Sequence, residues 1–324
     1  MTEILVFEES WQRVGDEIAA RYPQVVPVLW KSDGSLEKNG TAVDAADVAP
    51  SAGWLSFDVM RAKLMKPYCE ALASFNSMQW IQTLNAGLDD PLYEMLFANG
   101  IRISKSSAQA LPIAEYVLAH ALFHSQNTRQ RLAQQRDKTW RMQRFSELAG
   151  SQWLIAGFGH IGRAVAKRAR AFDANIVAVR QSDVQDPLAD RTVTLAQIHD
   201  ELPAADVVLL ACPHTPQTDK IASADFFAAM KPGSLLINVA RGALLDEAAL
   251  LAALDNGRPA LAVLDVFDTE PLPQDSLLWD HPAVMVTSHT SNAGSGTRVR
   301  GEQQFVTALG HFLDGSSIPD EVTQ

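Results

Sequence analysis

Residues 151–182 constrain the fold more than any other stretch, because they read as strand, glycine turn, helix and strand. An apolar run leads into Gly157, Gly159 and Gly162, and a second apolar run covers 176–179. In such a unit the first glycine permits a tight turn, the second lets the backbone approach a pyrophosphate, and the third lets the helix lie close to the strand. The free N–H groups at the start of the helix then face the phosphates. The stretch therefore predicts a dinucleotide-binding site.

The end of the second strand bears on the choice between NAD and NADP. An acidic residue there accepts hydrogen bonds from the ribose 2′-OH of NAD, whereas an Arg accommodates the 2′-phosphate of NADP. Arg180 stands at this strand end and is followed by Gln181 and Ser182. We therefore expect NADP(H) as the preferred cofactor, with NAD(H) possible. The expected contacts come from these three residues and from His160 and Ile161 in the glycine turn.

Charge and cysteine content limit the remaining function classes. The chain of 324 residues carries 27 Lys and Arg against 38 Asp and Glu, a net charge of −11. Nucleic acid and anionic membrane surfaces repel such a chain, so we expect neither as a partner. Cys69 and Cys212 form no C-x-x-C motif, so we expect no metal centre and a reducing, cytoplasmic compartment. The start of the chain does not resemble a signal peptide, and no stretch approaches the ~18 apolar residues of a membrane helix.

Residues 1–104 alternate between strand and helix patterns. Strands are expected over 4–7, 25–30 and 81–84, and Ser10 is expected to cap the first helix. This alternation predicts a parallel sheet covered by helices. The loop Asn85-Ala86-Gly87 follows one of the strands, at the end where ligands bind in such sheets.

The rest of the chain predicts a second domain and a return to the first. Pro112 is expected to open a long helix that leads into the second domain. Residues 151–290 contain further apolar runs, typical of strands covered on both faces. A helix from about Arg298 to Leu313 is expected to bring the chain back.

These patterns together predict an α/β protein of two domains, each a parallel sheet flanked by helices. A discontinuous, flavodoxin-like substrate domain is expected over 1–104 and 291–324. The larger, Rossmann-type dinucleotide-binding domain is expected over 105–290.

Three residues with ionisable side chains follow strand ends in the second domain, namely Arg241, Glu270 and His289. The carboxyl ends of parallel strands meet at the edge where a cofactor binds. Arg can bind a carboxylate at two points, His can carry a proton near neutral pH, and a neighbouring Glu favours the imidazolium form. Their convergence is a hypothesis on spacing alone. His214 and His281 are interpreted as loop histidines.

Five segments in chain order resemble the serial motifs of the D-isomer-specific 2-hydroxyacid dehydrogenase family: GFGHIG, PHTPQT, MKPGSLLINVARGALLDEAAL, LDVFDTEPLP and SHTSNAG. The resemblance runs through most of residues 105–300. It implies that Arg241 binds the carboxylate and carbonyl of a 2-oxoacid, and that His289 donates a proton while Glu270 holds it. It also implies that backbone N–H groups of Asn85, Ala86 and Gly87 bind the substrate carboxylate.

The resemblance extends to the cofactor site and to the assembly. Asp265 resembles the family position near the nicotinamide amide, and Ala240 precedes the substrate arginine in the same site. Three residues resemble those lining the adenosine side: Cys212, Pro213 and Thr218. Family members are commonly dimers, so we expect a homodimer with contacts within residues 112–147.

Arg180 departs from the pattern, since many members carry Asp at this position. It resembles the NADP-using branch that reduces glyoxylate and hydroxypyruvate. We therefore predict NADPH-dependent reduction of a small 2-oxoacid to the D-2-hydroxyacid. Two alternatives stay open: an NAD(P)-sensing, corepressor-like binding protein, and an NAD-dependent dehydrogenase of the formate or phosphite type.

Overall fold

The structure is a computed structural model and describes residues 1–322. Within them the strands, numbered along the chain, are β1 (Thr2–Phe7), β2 (Val25–Trp30), β3 (Leu36–Lys38), β4 (Thr41–Val43), β5 (Ala52–Trp54), β6 (Trp80–Gln82), β7 (Arg102–Ser104), β8 (Gln152–Ala156), β9 (Asn175–Arg180), β10 (Arg191–Thr194), β11 (Val207–Leu210), β12 (Leu235–Asn238), β13 (Leu261–Leu264), β14 (Val284–Val286) and β15 (Glu321–Val322). The α-helices are α1 (Glu8–Arg21), α2 (Phe57–Arg61), α3 (Met65–Ser74), α4 (Pro91–Ala98), α5 (Ala110–Ser125), α6 (Thr128–Arg136), α7 (His160–Ala169), α8 (Ile198–Glu201), α9 (Ala224–Ala229), α10 (Glu247–Leu254) and α11 (Thr297–Asp314).

The chain divides into two compact units. The first comprises Met1–Gln109 and Ser295–Gln324, and the second comprises Ala110–Gly294. Both boundaries lie a few residues beyond the predicted positions 104 and 290. The first shifts because Ser106 and Gln109 still belong to the first unit, where the Ser106 hydroxyl donates to Gln304 and the Gln109 amide donates to the Leu84 carbonyl.

The first unit is built on a sheet in the order β15-β7-β6-β5-β1-β2-β3-β4. Its five parallel strands stand in the order β2-β1-β5-β6-β7, which is the flavodoxin-like order. The β3–β4 hairpin and β15 add antiparallel edges, which the sequence did not predict. Leu5 and Phe7 of β1 pack into one buried cluster, while Ile4 and Val6 pack into another. The central strands are therefore covered on both faces.

The second unit contains seven parallel strands in the order β10-β9-β8-β11-β12-β13-β14. The order reverses beside β8, which is where a dinucleotide binds in sheets of this type. Trp153 and Ile155 of β8 pack into one buried cluster, and Leu154 and Ala156 pack into the other. The predicted α/β fold, with two parallel sheets flanked by helices, is confirmed.

Of the predictions for single elements, some are confirmed and one is wrong. The predicted long helices are present as α5 and α11. The prediction that Ser10 caps the first helix is wrong, because α1 already begins at Glu8. The buried Ser10 hydroxyl instead donates to Asp58 at 2.8 Å. Within residues 1–322, no helix combines the length and the apolar character needed to cross a bilayer.

Candidate active site

The glycine turn after β8 is tightly packed against the rest of the second unit. Gly157 has φ +98°, and a Cβ there would lie 2.3 Å from the backbone N of Cys212, in the loop after β11. A Cβ on Gly162 would lie 2.3 Å from the Gly157 carbonyl oxygen. Any side chain at either position would push these segments apart, so the glycines bring α7 close to β8. Gly159 precedes α7 without a side-chain cap, which leaves the helix start suited to phosphate oxygens.

Two arginines converge at the end of β9. Arg180 is the last residue of the strand, and its Nη1 lies 3.6 Å from Asp186 Oδ2. Arg163, one turn into α7, forms an ion pair with the same carboxylate oxygen. Asp186 is buried, while the two arginine side chains are 35% and 43% exposed. Two guanidinium groups therefore meet one carboxylate, which leaves one net positive charge beside the glycine turn.

Sequence reasoning missed Arg163 and Asp186. Arg163 directly follows the last glycine of the GFGHIG turn, so its position near the cofactor site could have been predicted from the sequence. Nothing in the spacing of Asp186 indicated that it would contact both arginines. Gln181 and Ser182 follow β9 as exposed residues, and the predicted contacts of His160 and Ile161 lie at the start of α7.

The loop after β11 carries the three residues predicted to line the adenosine side. The Thr218 hydroxyl donates to the Pro213 carbonyl at 2.8 Å and accepts from the Thr215 N–H at 2.8 Å. This buried threonine thus closes the loop on itself. Cys212 packs against the glycine turn, and burial raises the pKa of its thiol to about 11.

The loop after β12 holds Arg241 close to the loop after β13. The side chain of Asn238 donates to the Arg241 carbonyl at 2.8 Å and accepts from the Ala240 N–H at 3.1 Å. A Cβ on Gly242 would lie 1.8 Å from the backbone carbon of Phe267. Only glycine at 242 allows this contact between the two loops. Asp246 then caps α10 by accepting from the Ala249 N–H at 3.0 Å.

Glu270 and His289 are brought into direct contact. His289 Nδ1 lies 2.8 Å from Glu270 Oε2, and the other carboxylate oxygen accepts from the Phe267 N–H at 3.0 Å. An ionised carboxylate only accepts hydrogen bonds, so Nδ1 is the donor. This orientation leaves the opposite ring nitrogen, Nε2, to exchange a proton with a bound molecule.

The loop that carries His289 is held by the fully buried Asp265 at the end of β13. Its carboxylate accepts from the Thr287 hydroxyl at 2.6 Å and from the N–H groups of Thr290 and Ser291 at 2.8 and 2.9 Å. Its backbone carbonyl accepts from the His289 N–H at 2.8 Å. His289 has φ +53°, a region that non-glycine residues rarely adopt and that these bonds maintain. The position predicted to face the nicotinamide amide therefore also anchors the histidine loop.

The predicted substrate loop lies in the first unit, after β6. The Asn85 side-chain amide donates to the Tyr93 hydroxyl at 2.8 Å, and that hydroxyl lies 2.6 Å from Thr83 Oγ1. Ala86 and Gly87 are half-buried beside them. Burial raises the pKa of Tyr93, so its hydroxyl stays protonated as part of this anchor. Tyr93 was not predicted, because its contact with the loop depends on how α4 packs.

The remaining histidines and acidic residues do not group into a metal centre within residues 1–322. His120 and His124, four residues apart on α5, contact separate backbone carbonyls, those of Tyr116 and Gly233. His214 pairs with Asp219 in the loop after β11.

Comparison with known proteins gives the family. Residues 118–291 match the model of the D-isomer specific 2-hydroxyacid dehydrogenase, NAD binding domain. The chain belongs to this family. It is 32% identical over 235 residues to the glyoxylate/hydroxypyruvate reductase A of Serratia proteamaculans, which covers 70% of this chain and 75% of the relative.

Longer relatives and solved structures extend the match. The chain is 32% identical over 318 residues to the D-3-phosphoglycerate dehydrogenase of Mycobacterium tuberculosis, covering 95% of this chain but 56% of the relative. It thus spans about half the length of that enzyme. The crystal structure of a D-isomer specific 2-hydroxyacid dehydrogenase family protein from Aeromonas salmonicida superposes with a TM-score of 0.75, at 27% identity and over 99% and 98% of the two chains.

Proposed function

We propose that the chain catalyses NADPH-dependent reduction of a small 2-oxoacid, of the glyoxylate or hydroxypyruvate kind, to the D-2-hydroxyacid. The observation that carries the proposal is the 2.8 Å contact between Glu270 and His289, on loops that follow neighbouring strands β13 and β14. Family membership supports the reaction class. The Serratia relative, named a glyoxylate/hydroxypyruvate reductase, supports the substrate class.

The second unit has the features that a nicotinamide dinucleotide requires. The backbone contacts at Gly157 and Gly162 leave no room for side chains in the turn, and α7 begins without a side-chain cap. Phosphates fit such a helix start. When bound, the reduced nicotinamide supplies the hydride for C2 of the substrate. Ala240, Cys212, Pro213 and Thr218 line this site in the proposal, and Asp265 lies at its nicotinamide end.

Arg241, Glu270 and His289 have different tasks in the proposed reaction. The Arg241 guanidinium binds the substrate carboxylate and polarises the carbonyl. Glu270 accepts from His289 Nδ1 and so fixes the orientation of the ring. The imidazolium then donates its Nε2 proton to the alkoxide that develops on the carbonyl oxygen. In the first unit, the backbone N–H groups of the Asn85–Gly87 loop are proposed to bind the substrate carboxylate.

The preference for NADPH rests on the two arginines at the end of β9. Arg180 takes the place of the carboxylate that would accept the ribose 2′-OH, and Asp186 is engaged by Arg180 and Arg163 together. A dianionic 2′-phosphate is favoured by the net positive charge. Because both arginine side chains are more than a third exposed, each contact with the phosphate should contribute about 1.5 kcal/mol, the lower end for charged hydrogen bonds.

Initial rates test the proposal. The purified protein is assayed with NADPH and with NADH against glyoxylate, hydroxypyruvate, pyruvate and a bulkier aromatic 2-oxoacid, and in reverse with D-3-phosphoglycerate and NAD⁺. We expect NADPH to be preferred with a small 2-oxoacid. Arg180→Ala and Arg163→Ala should each raise the KM for NADPH by roughly tenfold and leave that for NADH nearly unchanged. Arg170→Ala is the matched control, because Arg170 forms an exposed pair with Asp190 away from this cluster.

Three other outcomes would point to a different function or cofactor preference. A preference for NADH that Arg180→Ala does not alter would contradict the proposed role of the arginines. Tight NADPH binding without turnover of any substrate would favour the corepressor-like alternative. Turnover of D-3-phosphoglycerate with NAD⁺ alone would place the chain with the mycobacterial relative in function.

We also propose a homodimer formed through residues 112–147. Helix α6 has no buried residue, and the segment after it exposes several large apolar side chains, namely Trp140, Met142 and Phe145. Apolar side chains exposed together are typical of contact surfaces. Sedimentation should show a dimer, and replacing Trp140 and Met142 by Ser should shift it to monomer. The cytoplasmic location stays a prediction, supported by two cysteines that are both free thiols.

A further inference from the structure

Helix α5 contacts the loop that carries His289 through the hydroxyl of Tyr116, a residue with no role in the proposed reaction so far. Tyr116 OH lies 2.7 Å from Thr287 Oγ1. The direction of this hydrogen bond follows from the next one along, since the Thr287 hydroxyl also lies 2.6 Å from Asp265 Oδ1. A threonine hydroxyl has one proton, and a carboxylate can only accept it. Thr287 therefore donates to Asp265, and Tyr116 donates to Thr287.

The Asp265 carboxylate, which accepts from Thr287, holds the loop that carries His289 through several hydrogen bonds. Asp265 holds Thr287, Thr290 and Ser291 through its side chain, and His289 through its backbone carbonyl. These four bonds surround His289, whose backbone has φ +53°. A hydrogen bond that fixes the Thr287 hydroxyl therefore supports Asp265, the residue that holds the His289 loop and so sets the direction of the imidazole.

Tyr116 is itself well fixed as a donor. Burial raises its pKa to about 12, so the hydroxyl keeps its proton at any working pH. The His120 ring packs on the Tyr116 ring with 4.2 Å between centroids, and its Nδ1 donates to the Tyr116 carbonyl at 2.8 Å.

Helix α5 also meets the far end of the loop. A Cβ on Gly294 would lie 2.4 Å from Pro112 Cβ. The helix thus contacts the segment from Thr287 to Gly294 at both of its ends.

We propose that Tyr116 is a positioning residue for His289, acting through Thr287 and Asp265. It sets the donor direction of the Thr287 hydroxyl, so that the Asp265 carboxylate stays saturated and the histidine loop keeps one conformation. The inference rests on the proposed function, since it assigns Tyr116 to the proton-donating step of that reaction.

Tyr116→Phe tests the inference, because it removes one oxygen and keeps the ring. Loss of one hydrogen bond of ordinary strength should lower kcat about three- to tenfold. The KM and Kd for NADPH should stay within about twofold, because the glycine turn is untouched. The solvent deuterium isotope effect on kcat should rise as proton donation becomes slower. A residue that only stabilised the fold would leave the isotope effect unchanged.

Three further variants make the test more specific. Thr287→Val should reproduce the effect, and the double variant should lose no more than either single one, because both remove the same chain of bonds. Tyr22→Phe is the matched control, since it removes a phenol hydroxyl that donates to the Val306 carbonyl in the first unit. It should keep the wild-type kcat and isotope effect.

Amide hydrogen exchange separates this inference from the proposed function. Exchange at the Thr290 and Ser291 N–H groups should accelerate in Tyr116→Phe whether or not any substrate is turned over. A wild-type protein that reduces no 2-oxoacid would overturn the proposed function. Unchanged exchange at these amides, or a Tyr116→Phe variant with wild-type kcat and isotope effect, would overturn the role of Tyr116.

Discussion

Replacement of Glu270 by Gln probes the proton-donating pair directly. The substitution keeps the shape of the side chain, and its carbonyl oxygen can still accept from the Phe267 N–H. The negative charge beside His289 Nδ1 is lost, and an amide N–H₂ can face that nitrogen instead. Two donors cannot share one hydrogen bond, so the imidazolium loses its partner. We expect the His289 ring to lose its fixed orientation and to donate its Nε2 proton more slowly.

The size of the effect follows from the geometry. The contact of 2.8 Å is that of a charge-assisted hydrogen bond, which contributes about 1.5–3 kcal/mol. The Glu270 and His289 side chains are 35% and 45% exposed, so water weakens the interaction toward the lower value. A loss of about 1.5 kcal/mol corresponds to a roughly tenfold lower kcat.

The assay compares Glu270→Gln with Glu247→Gln at saturating NADPH and 2-oxoacid. Glu247 is the matched control, because its carboxylate accepts from the Asp268 N–H of the same loop, at 3.3 Å. The deficit of Glu270→Gln should lie in kcat, because the substitution acts on the proton-donating pair. A Glu270→Gln variant with the kcat of the control, or one whose deficit lies only in the KM for NADPH, would refute the reasoning.

Two further predictions concern packing. Gly242→Ala should destabilise the protein by about 1–3 kcal/mol in urea unfolding and lower kcat, because its Cβ would overlap Phe267, whereas Gly301→Ala should be tolerated with its nearest neighbour 3.9 Å away. Burial raises the thiol pKa of Cys212 to about 11 and that of Cys69 to about 12. At pH 8 both thiols should therefore react with a disulfide reagent at least about a hundredfold more slowly than a free thiol. Fast labelling of the native protein would contradict this, and denaturant should release both thiols.

The strands of the second unit could be predicted because they are continuous apolar runs that are buried on both faces. The β3–β4 hairpin was missed although its signal was present. Asn39 and Gly40, both with positive φ, form the two-residue turn that hairpins favour. Ser10 could not have been assigned correctly, since its partner Asp58 lies far along the chain and only packing of the sheet brings them together.

The candidate site likewise contains residues that the sequence could predict and contacts that it could not. Positions after strand ends pointed to Arg241, Glu270 and His289, because parallel strands bring their carboxyl ends to one edge. The contacts that orient them are long-range and have no sequence period. The bond from Tyr116 to Thr287 joins residues on α5 and beyond β14, so no local pattern could have predicted it.

Transfer of deuterium from the cofactor to the product tests the proposed hydride transfer most directly. NADPH deuterated at C4, in each of its two stereoisomers, is incubated with the protein and hydroxypyruvate or pyruvate, and the product is analysed by NMR and chiral chromatography. We expect deuterium at C2 of the D-2-hydroxyacid from one isomer only, at a rate that falls in Glu270→Gln. NADPH that binds without any transfer, or a product of L configuration, would contradict it.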